Sequence, residues 1–454
     1  ALTSNTMSGL TGEQLSSLTS TALQVIETTD LATLTKAQVS DLSSTQLNLL
    51  TTSQIGAIAT DAVAVMQTAQ VVGLSSTQLN ALGSNQVRAL SAAQIQSLSS
   101  TQLNNLSSTQ LRNISSTQLG QLSTSQVKNL TATTLQNAGT SNLNLLSANQ
   151  FAAITSTVFQ SLGSTAIGSL NSAAAANLSA SQLNALNTTD LGKISSTNIA
   201  ALTLSQIQGL STAQLNNLTS TQLQAIETAD LKGLSTTQAS SLSSSQLGNL
   251  SSSQVQALTV DQVKSLTLSK LGSAQIANLS SSQVQGLTTS QLDALATAST
   301  TVFQAIQTVD LQALNQSALT ALSSTVLQDL SSSQLQGLSA TQIGKLTTTQ
   351  LNNLTTTQAG YLTSSQVQLL TQDQIGSLSS SFVQNLTTTA FSAFSGKQLG
   401  AISSTAVQGL TTAQAVALTE TKIISLTSSQ LNNLTSTALN AIDTQDIAAL
   451  SKAQ

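Results

Sequence analysis

The chain has 454 residues, of which 6% are charged and 2% aromatic, with no His, Cys, Trp or Pro and a formal net charge of −4. Typical soluble domains carry about 25% charged residues. Without His or Cys there is no Ser-His-Asp triad, no thiol nucleophile and no imidazole or thiolate metal site.

The 12 Lys and Arg are scattered singly, so no basic patch faces a phosphate backbone, and nucleic-acid binding is not expected. No apolar run reaches bilayer length, so membrane insertion is not expected either. Disulfide stapling is excluded outright.

From Leu2 onward an apolar residue recurs every eighth position to Leu266: Leu2, Leu10, Leu18, Ile26, Leu34 and so on. Every one is Leu, Ile or Met except Ala138. A second apolar slot lies five residues after the first: Met7, Leu15, Leu23, Leu31, Val39. It weakens only to Ala175 and Ala239 in this stretch. Odd steps of five and three would place successive apolar residues on opposite faces of a strand. In a helix, residues three apart share a face. A continuous helix of period eight would drift off its own stripe, because eight is not a whole number of 3.6-residue turns. Each repeat must therefore restart its helix.

Thr21–Gln38 has a near copy in Thr437–Gln454 and a looser one in Thr221–Gln238. The chain thus opens and closes inside a repeat, the pattern expected of a segment of a longer array. Within these copies lie paired carboxylates, Glu27/Asp30, Glu227/Asp230 and Asp443/Asp446. They read as acidic caps near helix N-termini. The sharper alternative is a weak Ca²⁺ site, although two carboxylates per repeat are few for it. No other metal and no cofactor is expected.

The segment Leu74-Ser75-Ser76-Thr77-Gln78-Leu79 carries the restart signal. Ser75 falls at N-cap and Gln78 at N3, the two partners of a capping box. Leu74 and Leu79 fall at N′ and N4, the two partners of a hydrophobic staple. The same box recurs at Ser99/Gln102, and Leu74, Leu79, Leu82, Leu103, Leu106 and Leu111 are the expected core. Asn and Gly favour the two positions before each staple leucine, as at Asn104-Asn105 and Gly248-Asn249. Both residues tolerate a left-handed helix end, and such an end is expected there. Asn-Leu-Ser/Thr, as at Asn105, Asn129 and Asn433, matches a glycosylation sequon but is also what the repeat makes by itself.

Phe151, Phe159, Phe303 and Phe391 occupy second slots and Phe394 a first slot, so they belong to the core. Phe382 takes a Gln position and Tyr361 a turn position, where exposure and lateral contacts are expected. The phase slips once: Leu266 to Leu271 is a step of five, Leu295 to Ile306 a step of eleven, and the original phase then returns. Residues 266–306 therefore hold a shortened bend and a bulged one, or a recognition loop at 296–302.

A helix of one and a half turns is unstable alone, whereas stacked coils sharing an apolar interior support one another. The fold expected is all-α: one continuous solenoid over 1–454, built from octapeptide helix–turn units. The L-[ST]-x-x-Q-[LIV] array resembles those of long, low-complexity bacterial exoproteins, a loose adhesin-like group. That resemblance implies secretion, surface exposure and a structural role, and it carries over no functional residue. The function expected is a non-enzymatic extracellular fibre, filament or stalk subunit. It associates with copies of itself through a repetitive Ser/Thr/Gln/Asn surface, because weak contacts repeated along an array sum. The alternative is a repetitive adhesin spacer, or a rod binding surface glycans or ice.

Overall fold

The computed structural model describes residues 4–454. Among them every regular element is helical: 54 short α-helices and two 3₁₀ turns, one to nearly every octapeptide. The chain divides into two compact units, Ala1–Asp230 and Leu231–Gln454. Each is a solenoid of the same construction.

One repeat explains the others. The helix Ser76–Ala81 begins at Ser75, whose backbone is extended (φ −65°, ψ 160°) and whose hydroxyl accepts from the Gln78 N–H. It ends when Leu82 donates its N–H to the Leu79 carbonyl at 3.3 Å and then turns extended at φ −63°, ψ 131°. Two extended residues, the staple leucine and the next N-cap, therefore make the bend. Among the described residues none other than glycine has positive φ, and only Gly139 and Gly163 do so at all. The left-handed helix ends expected at Asn are thus absent. The extended leucine reverses the chain without the steric cost of that conformation.

The coil closes after about three and a half octapeptides. In the first unit the Gln110 side chain meets the carbonyls of Leu79 and Leu82, 31 and 28 residues earlier. In the second, Gln366 meets Leu335 and Leu338 at the same separations. Each helix start therefore sits over the end of a helix in the coil before. Leu74, Leu79, Leu82, Leu103, Leu106 and Leu111 are all buried in the shared interior. Phe151 and Phe159 meet edge to face there at 6.0 Å, and Phe391 and Phe394 at 5.9 Å.

The phase slip contains no loop. The short step is a 3₁₀ turn, Leu268–Lys270, and the long one is a ten-residue helix, Thr289–Ala298, followed directly by Thr300–Phe303. The recognition loop at 296–302 is not formed, because Ala296 is buried in helix and Ser299 caps the next one. Coil length follows the slip. Gln283 reaches back 28 and 25 residues instead of 31 and 28. Ser281 and Asp310 then meet at a separation of 29, whereas Ser164 and Asp190 in equivalent positions are 26 apart. Three residues removed from one coil are returned in the next.

Candidate functional site

The repeated polar feature of the molecule is a ladder of buried and half-buried glutamines. In the Ser99/Gln102 box, Gln102 Oε1 accepts from the Ser99 N–H at 3.0 Å and the Ser99 hydroxyl accepts from the Gln102 N–H at 3.2 Å. The amide nitrogen is then left over. It points across the coil boundary and donates to the carbonyls of Val72 and Leu74 at 2.9 and 3.0 Å. Those carbonyls belong to a helix end, where four C=O groups lack partners within their own helix. One side chain thus closes a helix start and a helix end in successive coils.

Ser75/Gln78 varies the scheme. The Ser75 hydroxyl still caps, but its N–H donates to Asn48 Oδ1 at 2.7 Å rather than to Gln78, so the box is half formed. Gln78 still bonds Asn48 and Leu50 at 3.2 and 3.3 Å. Asn48 shows what asparagine does in this position: its Nδ2 also donates to the Gly73 carbonyl at 2.6 Å. Asn104 repeats the pattern on Asn129 and Thr131, and Asn352 on Ser377 and Ser379. These amides form a second, more exposed ladder.

The capping glutamines point inward, so they are not part of the lateral surface. For the same reason Phe382, expected to be exposed, is 3% exposed and packed in the core. Tyr361 is half-buried. The exposed face consists largely of the Ser, Thr and Ala residues of the first helical turn and the Asn and Gln of the last.

Each acidic pair lies at the start of its own helix. Glu27 is an N-cap without a side-chain cap bond, whereas Asp30 of the following turn is buried. Asp443 caps through the Gln445 N–H at 2.9 Å, and Asp446 follows in the same first turn. At Glu227/Asp230, burial and then the neighbouring Glu227 charge push the Asp230 carboxyl above its usual range. Among the described residues no three acidic side chains gather where a metal ion would need them. Where Asp replaces Gln it cannot donate to a carbonyl, and it accepts instead. Asp190 takes the Ser164 hydroxyl at 2.6 Å and the Asn187 amide at 2.7 Å. Lys422, another replacement, donates its ammonium to the Ser392 carbonyl, and burial lowers its pKa.

Ala138, the exception among the staple leucines, lies beside a cavity of about 30 Å³ lined by Leu111, Leu119, Leu130, Leu135 and Leu143 among others. The helix Ala132–Ala138 runs through the usual bend, and Gly139 at φ 85° makes the turn instead. No described helix is long and apolar enough to cross a membrane.

Four segments, residues 23–60, 63–100, 184–220 and 223–260, match the family model described as the ALTTAQ repeat. Ala89-Leu90-Ser91-Ala92-Ala93-Gln94, in the second segment, is that hexapeptide with two letters changed, and it spans one bend and one capping box. The chain is a tandem helical repeat protein. No curated protein matches it. Among solved structures, one titled "Homology model of the full-length AP-3 complex in an intermediate open conformation" aligns over 93% of this chain and 77% of its own. Its identity is 11% and its TM-score 0.18, too low to carry an argument.

Proposed function

We propose that the chain is a structural protein, an extracellular fibre, filament or stalk subunit of bacterial surface type that associates with copies of itself. The observation that carries this reading is the division of labour within each octapeptide. Leucine and the buried capping glutamine build the coil, which leaves a face of Ser, Thr, Asn and last-turn Gln side chains along the repeats. A weak contact available at every repeat adds along the array. The exposed side chains that would act are hydroxyls and amides, groups suited to lateral hydrogen bonds and not to acid–base or nucleophilic chemistry. In this reading the protein is not an enzyme, takes no cofactor, and binds neither nucleic acid nor membrane.

A repetitive adhesin spacer, or a rod whose hydroxyl face meets glycans, is the second reading, favoured by the same face. Negative-stain electron microscopy across a concentration series separates the two. Filaments, bundles or sheets are expected of the self-associating subunit. Single particles at every concentration would overturn it in favour of the spacer.

A further inference from the structure

We infer that the chain is also a tension-bearing tether, which lengthens by releasing one coil at a time and yields first at one defined seam in each unit. This rests on the structural reading above but not on self-association.

Within each unit, the backbone–backbone hydrogen bonds outside the helices join positions three or four apart. None joins one coil to the next. Coils are held instead by the leucine interior and by side-chain amides, and no disulfide limits their separation. In a solenoid each coil touches only its neighbours, so stability is a sum of neighbour terms. Under tension these interfaces are loaded in series, and the weakest opens first.

The interfaces are unequal. Gln102, Gln110 and Gln118 each donate to at least two carbonyls of the coil before. In the first unit, three successive glutamine positions then hold Val158, Ala166 and Ala174, whose side chains donate nothing. There the coils are bridged by Gln136, on Ser161 and Leu162, and by Asn144, on Ser169 and Asn171. The Ala138 cavity lies in the adjoining coils, and a second opening of about 210 Å³ sits between Leu135 and Ala166. In the second unit, Val302, Asp310, Ala318 and Val326 fill four successive positions. The bridges there are the hydroxyls of Ser281 and Ser323 on Asp310 and Asp293, Gln307 on Ala277, and Thr300 and Gln304 on Asp329. This seam follows directly on the phase slip.

A coil of 28 residues has an extended length of roughly 90–100 Å. The test is force spectroscopy on the full chain held by its two ends in an optical trap. Extension is expected in increments of one coil, with two early events at low force. The triple substitution Val158→Gln, Ala166→Gln, Ala174→Gln should leave one early event. Gln102→Ala, Gln110→Ala, Gln118→Ala should create a third. Release of a whole unit in a single increment would overturn the inference. So would an unchanged number of early events in both variants.

Discussion

Gln110 donates its amide nitrogen to the carbonyl of Leu82, 28 residues earlier, at 2.7 Å. The same nitrogen bonds Leu79 at 2.9 Å, and the side-chain oxygen accepts from the Ser107 N–H at 2.9 Å. A buried carbonyl that loses its partner costs about 1–3 kcal/mol. Gln110→Ala is therefore expected to destabilise by about that amount, read as a lower urea midpoint. Hydrogen exchange should quicken in the coils containing residues 79–82 and 107–111 and stay unchanged further along.

Gln110→Glu sharpens the point. A carboxylate cannot donate, and here it would face two carbonyls at once. Burial would raise its pKa above the unfolded value. Stability of this variant should therefore be greatest below the unfolded carboxyl pKa and fall as pH rises through the folded one. Denaturation at pH 4 and pH 8 checks it, with a flat profile counting against the ladder.

Lys422 offers the opposite case. Burial lowers its pKa in the folded protein. The unfolded chain then binds the proton more tightly, so this group's contribution to stability rises with pH between the folded value and the ordinary 10.5. Lys422→Gln should abolish that slope and raise stability at pH 7, by bonding the carbonyls of Phe391, Ser392 or Phe394. Thermal melts across pH read both effects.

The cavity at Ala138 predicts a gain. Leu at this position would fill space already lined by leucines, and each buried methylene contributes about 0.8 kcal/mol. Ala138→Leu should raise the urea midpoint, corresponding to about 1–2 kcal/mol. Gly139→Ala should do the reverse, by about 1–3 kcal/mol, since φ 85° with ψ 160° is a region kept almost wholly for glycine. A Cβ there meets nothing within 4 Å, so the loss would be conformational and not steric.

What the sequence made legible was everything of short range. The five–three alternation and the Ser-x-x-Gln box lie within one octapeptide, and they specify the helix, its start and its apolar face. The second bond of each glutamine was not legible. Its acceptors lie 28 to 31 residues back, and they are known only once coil closure is known. Phe382 is buried for that reason, since a position that caps locally also points between coils. Asn48 holds the same place in its repeat as Asn104, where a left-handed helix end is expected. A residue suited to left-handed turns serves here as a side-chain bridge, because the extended leucine already makes the bend. The acidic pairs looked alike in sequence, yet Asp30 is buried whereas Asp446 is only partly so, a difference set by coil packing.

Coil closure is the central claim, and the absence of cysteine makes it directly measurable. A Cβ built at Gly168 would lie 3.3 Å from that of Lys193, in the next coil. Disulfides need about 3.5–4.5 Å between these atoms, so a small adjustment suffices. Gly168→Cys with Lys193→Cys should oxidise within the folded chain to a single intramolecular bond, leaving the helical spectrum unchanged. A pair that stays reduced in the folded protein, or that closes only in urea, would contradict a coil of this length.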